Sequence, residues 1–274
     1  MFEHCLIQSL EDPRLAPYRT MRRQLDHLRE EIFVAEGEKV VERLLESPIP
    51  VISLLLPEGK IGRFEKQLQG RKEKIMVFTA PKSVLEELTG FHLYQGVLAL
   101  AKVPPASILD ELIAKSQPPR LFMALDGLSN AENLGVLVRN SVAFGVEGLL
   151  LSATSASPYL RRAVRSSMGT VFKSRYLQTD NLSDVLRELR RAGIRVMAAH
   201  PHTKHKTIDL ANFSTDCCIV FGSEGAGISE EVLGACDEAV AIPMQHRTDS
   251  LNVASASAAF LYEAWRQRAG AKGT

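Results

Sequence analysis

The sequence predicts an α/β protein in two parts: a small N-terminal α/β domain and a larger C-terminal domain on a largely parallel sheet. Three observations predict it. Apolar runs of strand length alternate with stretches of helical periodicity, most regularly beyond residue 120. The segment Val103–Arg120, with a Pro-Pro pair near each end, interrupts that alternation. The chain has 274 residues, 45% hydrophobic and 24% charged, which suits one large or two modest folded domains and argues against disorder.

Residues 1–24 read as an arm, because Asp12-Pro13 and Ala16-Pro17 break regular structure ahead of the basic end at Arg22 and Arg23. Residues 25–103 form the small domain. Its strands are Val51–Leu56, Ile75–Thr79 and Gly96–Ala101. Its helices are Glu38–Leu45, apolar at Val40, Val41, Leu44 and Leu45, and Ser83–Leu88, with Ser83 a candidate cap. Residues 104–119 read as a linker carrying one amphipathic stretch, Ile108–Lys115.

Residues 120–274 repeat strand and helix. The strands are Leu121–Leu125, Gly148–Ser152, Arg195–Ala199, Cys218–Phe221 and Ala239–Ile242. The helices are Leu134–Phe144, Tyr159–Ser167, Leu182–Ala192, Ser229–Ala235 and Leu251–Arg268. Asn181 or Ser183 caps the third helix, Gly193 ends it, and Ser250 caps the last. This order implies a parallel sheet covered by helices on both faces.

With 33 Lys and Arg against 32 Asp and Glu, the net charge of +1 excludes a uniformly basic coat and an acidic tail, though not a local basic face. The longest charge-free runs, Leu88–Ala101 and Ser250–Tyr262, are shorter than the roughly 18 residues of a membrane span. Glu3, Glu11 and Asp12 leave no apolar signal core near the start, so the cytoplasm is the expected compartment. Cys5, Cys217, Cys218 and Cys236 include no C-x-x-C and suit neither a disulfide framework nor zinc.

Ligands of open parallel sheets collect at the carboxyl ends of the strands, which singles out three loops. After Leu121–Leu125, Asp126-Gly127 turns into a helix carrying Asn133, Gly135 and Arg139. Arg139 stands among Val136, Leu137, Val138 and Val142, where a lone buried charge costs roughly several kcal/mol; it reaches a partner or snorkels to an edge. After Cys218–Phe221, Gly222, Gly225 and Gly227 give G-x-x-G-x-G, neither the dinucleotide fingerprint nor a P-loop, with Glu224 inside and little scope for it to be a surface charge. After Ala239–Ile242 come Pro243, Ser250 and Asn252. Asn252 falls in the first turn of a helix rich in small residues, a weak choice there without another role.

Taken together, N-x-x-N-x-G-x-x-x-R at Asn130–Arg139, RSSMG at Arg165–Gly169, FGSEGAG at Phe221–Gly227 and IPM…SLNV at Ile242–Val253 resemble the SpoU/TrmH group of RNA ribose 2′-O-methyltransferases of the SPOUT superfamily. REEIFVAEG at Arg29–Gly37 and YQGVLALA at Tyr94–Ala101 resemble that family's ribosomal-protein-like substrate-binding domain. The resemblance implies a C-terminal α/β knot, a deep trefoil, with homodimerisation through the knot domain. It implies S-adenosylmethionine held near Gly222, Ile242 and Leu251; His200, following a strand end, falls near the same place. It also implies a catalytic set of Asn133, Arg139, Glu224, Ser250 and Asn252. Two departures stand out: Asn130-Ala131 replaces the usual Asp-Pro, and Gln245, His246 and Arg247 follow Ile-Pro-Met where the family has Gly.

One segment is locally basic. Ser157–Tyr176 carries Arg161, Arg162, Arg165, Lys173 and Arg175 with no acid, and the three arginines share a helix side, which suits RNA phosphate contact. His200, His202 and His205 form H-x-H-x-x-H, but a strand-exit loop gives no reason for convergence, so no metal is expected. The expected partner is structured RNA, with rRNA favoured over tRNA by the accessory domain. The competing expectation is an RNA-binding homologue without catalysis.

Overall fold

A computed structural model describes residues 2–90, 95–201, 206–246 and 249–270. They form two compact units: 1–105 with 158–173, and 106–157 with 174–274.

The first unit is built on a five-stranded mixed sheet. Its strands are β1 (Phe2–Leu6), β2 (Ile32–Glu36), β3 (Val51–Leu56), β4 (Ile75–Thr79) and β5 (Leu98–Lys102), in the order β1-β4-β3-β5-β2. β1 and β3 run parallel to β4, whereas β5 runs antiparallel to both β3 and β2. Residues 1–24 are therefore not an arm. β1 extends the sheet, and Leu15, Tyr18 and Met21 join the core, where the Tyr18 hydroxyl lies 2.8 Å from Ser53 Oγ. The helix at Lys82–Thr89 starts after Pro81 with no side-chain cap, so Ser83 lies inside it.

The helix Arg161–Ser166 belongs to this unit and packs on β2. Phe33 of β2 packs against Tyr159 and Phe172 in tilted pairs, with ring centroids 5.0 and 5.8 Å away. Arg43 Nη1 donates to the Met168 carbonyl at 2.5 Å.

The second unit carries a six-stranded parallel sheet. Its strands are β6 (Leu121–Asp126), β7 (Gly148–Ser152), β8 (Tyr176–Thr179), β9 (Arg195–Ala199), β10 (Cys217–Gly222) and β11 (Glu238–Val240), in the order β11-β9-β10-β6-β7-β8. All five pairings are parallel. β7 and β8 are added on one side of β6, and β10, β9 and β11 on the other. The order thus reverses beside β6 and β10, the strand ends where such sheets bind ligands.

The expected linker is split. Leu109 and Leu112 of the helix Leu109–Ala114 are buried in this unit's core with Phe122, Leu186, Val196 and Val220. The helix Leu182–Arg191 is capped by Asn181, whose side chain accepts from Asp184 N. The C-terminal helix, Val253–Gly270, is fastened at both ends. Asn140 Nδ2 donates to the Ala254 carbonyl and Ser257 Oγ, both at 3.0 Å. Arg268 donates to the carbonyls of Phe213, Pro119, Arg120 and Thr215. The small residues near the helix start permit the first contact. No helix among the described residues is long and apolar enough to cross a membrane.

Candidate active site

β6 and β10 are neighbours in register, with Asp126 opposite Gly222, so their exit loops leave side by side. The β6 loop enters the helix Ala131–Ala143. Asn130 Oδ1 caps that helix by accepting from Glu132 N at 2.9 Å and Asn133 N at 3.1 Å. Asn130 at the cap and Ala131 at the first helical position leave the helix start fully formed.

The β10 loop is a closed turn. Ser223 N donates to the Gly227 carbonyl and Gly227 N to the Ser223 carbonyl, each at 3.0 Å. Two glycines make it feasible. A Cβ at Gly222 would fall 2.1 Å from the Gly227 carbonyl carbon, and Gly227 itself adopts φ +70°.

Glu224 rises from that turn into solvent, contrary to the expectation that it would not be a surface charge. Its exposure does not leave it unengaged. Glu224 Oε1 accepts from Asn133 Nδ2 at 2.7 Å and from Asn252 Nδ2 at 2.6 Å. Asn252 Nδ2 also lies 3.4 Å from Asn133 Oδ1. Three sequence-predicted residues, from three loops, thus meet at one carboxylate oxygen. The second oxygen, Oε2, makes no hydrogen bond among the described residues.

Asn252 has a further part that the sequence assigned to Ser250. Its Oδ1 accepts from Ala254 N at 2.9 Å, so Asn252 caps the last helix, which starts at Val253 rather than Leu251. Ser250 lies outside the helix, exposed.

Beside this cluster is a cavity of about 380 Å³. His200, Gly222, Ile242 and Leu251, the residues expected near the cofactor, all line it, as do Glu224, Ser250 and Asn252. Val240, Ile242, Leu251 and Phe260 give it apolar walls, while the glycine-rich turn exposes backbone to it. A cleft with apolar walls, convergent polar groups and this volume fits a nucleoside-sized ligand.

Arg139 stands apart from that lining. It is exposed on the helix Ala131–Ala143 and makes no hydrogen bond or ion pair among the described residues. The snorkelling alternative describes its position, and its guanidinium is open to a ligand.

The basic segment needs correction. Arg161 is largely buried and pairs with Glu36 of β2, whose other oxygen lies 3.3 Å from Arg165 Nη1. The helix side that the three arginines were expected to turn to phosphate carries Arg161 and Arg165 to a buried carboxylate instead. Arg165 remains 57% exposed, so it keeps a solvent face. Arg162 and Lys173 are exposed and carry no ion pair among the described residues. Arg175 belongs to the second unit and donates to the Lys115 carbonyl at 3.4 Å. Glu36 lies 125 residues from Arg161, so no local sequence pattern links the two.

His202, His205 and Arg247 lie outside the described residues. Among the described residues no three metal-ligating side chains converge. Burial raises the thiols of Cys217 to about 11 and Cys236 to about 12, and that of Cys218 well above its ordinary value.

Fold and site together define a parallel α/β domain with a ligand cleft at its strand ends, joined to a second α/β unit. Relatives specify the class. The SpoU rRNA Methylase family matches residues 120–262, and the RNA 2′-O ribose methyltransferase substrate-binding family matches residues 34–106. An uncharacterized tRNA/rRNA methyltransferase of Mycobacterium bovis is 32% identical over 267 residues, covering 95% of this chain and 90% of the relative. The SpoU methyltransferase AviRb from Streptomyces viridochromogenes superposes with a TM-score of 0.81 at 27% identity, over 95% of this chain and 99% of that one. An AdoMet-bound rRNA methyltransferase from Sinorhizobium meliloti gives 0.81 at 25% identity, over 96% and 98%. The chain belongs to the SpoU family of RNA methyltransferases.

Proposed function

We propose that this protein transfers a methyl group from S-adenosylmethionine to a ribose 2′-hydroxyl of structured RNA, with rRNA the favoured substrate. The observation that carries this reading is the meeting of Asn133 and Asn252 on Glu224 at the rim of a nucleoside-sized cleft. Bound in that cleft, S-adenosylmethionine supplies a methyl group that is already electrophilic. His200, Gly222, Ile242 and Leu251, which line that cleft, would hold it.

The chemical difficulty then lies with the hydroxyl, a poor nucleophile at neutral pH. The protein's task is to orient it in line and stabilise the charge that develops on it. Asn133 and Asn252 fix the Glu224 carboxylate through one oxygen, leaving the other toward the incoming nucleotide. The Arg139 side chain is a guanidinium, all donors and no acceptor, which makes it a poor proton acceptor. It holds the adjacent phosphate and stabilises the forming alkoxide. Ser250 positions the hydroxyl or the cofactor beside them. Arg162, Lys173 and the exposed side of Arg165 contribute phosphate contacts, with Arg175 a further one.

The family fold implies that the second unit is knotted, and that two copies associate through it. Tyr262 and Trp265, half-exposed with ring centroids 5.9 Å apart on the C-terminal helix, support such an interface. The working compartment under this reading is the cytoplasm. The test is incubation with labelled S-adenosylmethionine and total cellular RNA, followed by mapping. Label in RNA at a linkage resistant to alkali is the expected result. RNA binding without transfer would favour the non-catalytic homologue.

A further inference from the structure

Around the end of β7 lies a chain of hydroxyls that the site described above does not use. Ser155 Oγ donates to the Leu125 carbonyl at 3.0 Å and accepts from Leu128 N at 3.1 Å. Ser152 Oγ accepts from Gly127 N at 2.9 Å and lies 3.1 Å from both Ser155 Oγ and Thr154 Oγ1. Ser152 and Ser155 are buried, while Thr154 is exposed and has no other partner among the described residues.

Counting protons fixes the direction of this chain. A hydroxyl has one proton to donate and two lone pairs. The Ser155 proton goes to the Leu125 carbonyl, a stronger acceptor than a hydroxyl. The contact between Ser152 and Ser155 then requires Ser152 to donate. With its proton committed and Gly127 N on one lone pair, Ser152 can only accept from Thr154. Thr154 Oγ1 therefore turns its proton inward and presents lone pairs alone to solvent.

The place of that acceptor matters. A Cβ built at Gly127 would lie 3.8 Å from Thr154 Oγ1 and 3.9 Å from Ser223 Cβ, so one glycine separates Thr154 from the turn that carries Glu224. We infer that Thr154 is a specificity residue that accepts a hydrogen bond from an N–H or O–H donor of the RNA beside the reacting ribose. The donor is a base N–H, exocyclic or in the ring, or a neighbouring ribose hydroxyl, since phosphates offer none. The inference rests on the methyltransferase reading.

The test compares wild type, Thr154→Val and Thr154→Ser in methyl transfer from labelled S-adenosylmethionine to unmodified cellular RNA, with cofactor affinity measured separately. Thr154→Val should lose about tenfold in kcat/KM for RNA with cofactor Kd unchanged, and Thr154→Ser, which keeps the oxygen, should restore transfer. Equal activity of Thr154→Val and wild type would overturn the inference and leave the reaction standing, as would an equal loss in Thr154→Ser. No transfer by wild type would overturn the methyltransferase reading and this inference with it. Once the methylated nucleotide is mapped, an RNA with 2′-deoxyribose at the neighbouring nucleotides separates the two donors. A valine penalty that vanishes on that RNA identifies the ribose hydroxyl, and one that persists identifies a base N–H.

Discussion

Asn252 ties Glu224 to the start of the C-terminal helix: its Nδ2 donates to Glu224 Oε1 at 2.6 Å while its Oδ1 caps that helix at Ala254 N. One side chain thus couples the position of a candidate catalytic carboxylate to a helix terminus. The two duties can be separated. Asn252→Ala removes both, and should cost about 1 kcal/mol of stability as well as about 100-fold in methyl transfer. Asn252→Ser keeps a capping oxygen but cannot reach Glu224. Its thermal midpoint should stay near wild type while transfer falls as in the alanine variant. Thermal melts and single-turnover rates on the same preparations check both.

Arg139 is exposed and unbonded among the described residues, so the fold does not depend on it. Arg139→Ala should change stability by no more than about 0.5 kcal/mol. Turnover should nonetheless disappear, with S-adenosylmethionine affinity kept within about twofold in a calorimetric titration. Arg139→Lys should recover little, because an ammonium does not reproduce the two-pronged guanidinium grip on a phosphate. Full activity in Arg139→Ala would remove this residue from the site.

The basic segment divides into two kinds of arginine, and mutation should separate them. Arg161 neutralises buried Glu36, so Arg161→Ala leaves a carboxylate that Arg165 compensates only in part, and should destabilise the protein by about 3 kcal/mol. Arg162→Ala and Lys173→Ala break no pair and should leave the melting temperature unchanged. Each should weaken RNA binding at low salt and reduce the slope of log affinity against log salt by about 1. Filter binding across a salt series checks this, and an unchanged slope would place these residues away from RNA.

What the sequence made legible follows from the range of the forces involved. The strands at 148–152 and 195–199 match their expected bounds, because parallel strands buried along most of their length are nearly continuous apolar runs. β1 leaves no such trace, because an edge strand needs no buried apolar row; none of its residues is fully buried. The meeting of Asn133, Glu224 and Asn252 was suggested by the family motifs, since residues 91 and 119 positions apart leave no local trace of contact. By residue preference Ser250 is a good cap. Asn252 is an equally good cap and is held in place by its bond to Glu224, a tertiary contact that outweighs the local choice.

The thiols offer a check on burial. Burial holds the thiols of Cys217, Cys218 and Cys236 above the ordinary range, even though Cys236, like Cys5 on the edge strand, is partly exposed. The thiolate is the reactive form, so at pH 8 the native protein should react quickly with Ellman's reagent at Cys5 alone. The other three should react only on unfolding. Cys5→Ser should abolish the fast phase.

The acid limb of stability should report on Glu73. Burial pushes its carboxyl up, but bonds from the Arg71 guanidinium and from Val51 N outweigh this and leave it at about 2, below its ordinary 4.5. Arg71 also donates to the carbonyls of Leu45, Ser47 and Ile49, so the pair pins the turn that delivers the chain into β3. A carboxylate with a depressed folded pKa stabilises the native state above its unfolded pKa and loses that contribution as pH falls through the folded one. Glu73 thus contributes fully above about pH 4.5, and its contribution drains away between there and about pH 2. Glu73→Gln keeps the shape and an acceptor but cannot titrate. Urea midpoints at pH 6 and pH 3 should differ less in this variant than in wild type, and the loss relative to wild type should be larger at pH 6. An identical dependence on pH in the two proteins would exclude the Arg71–Glu73 pair as a source of acid sensitivity.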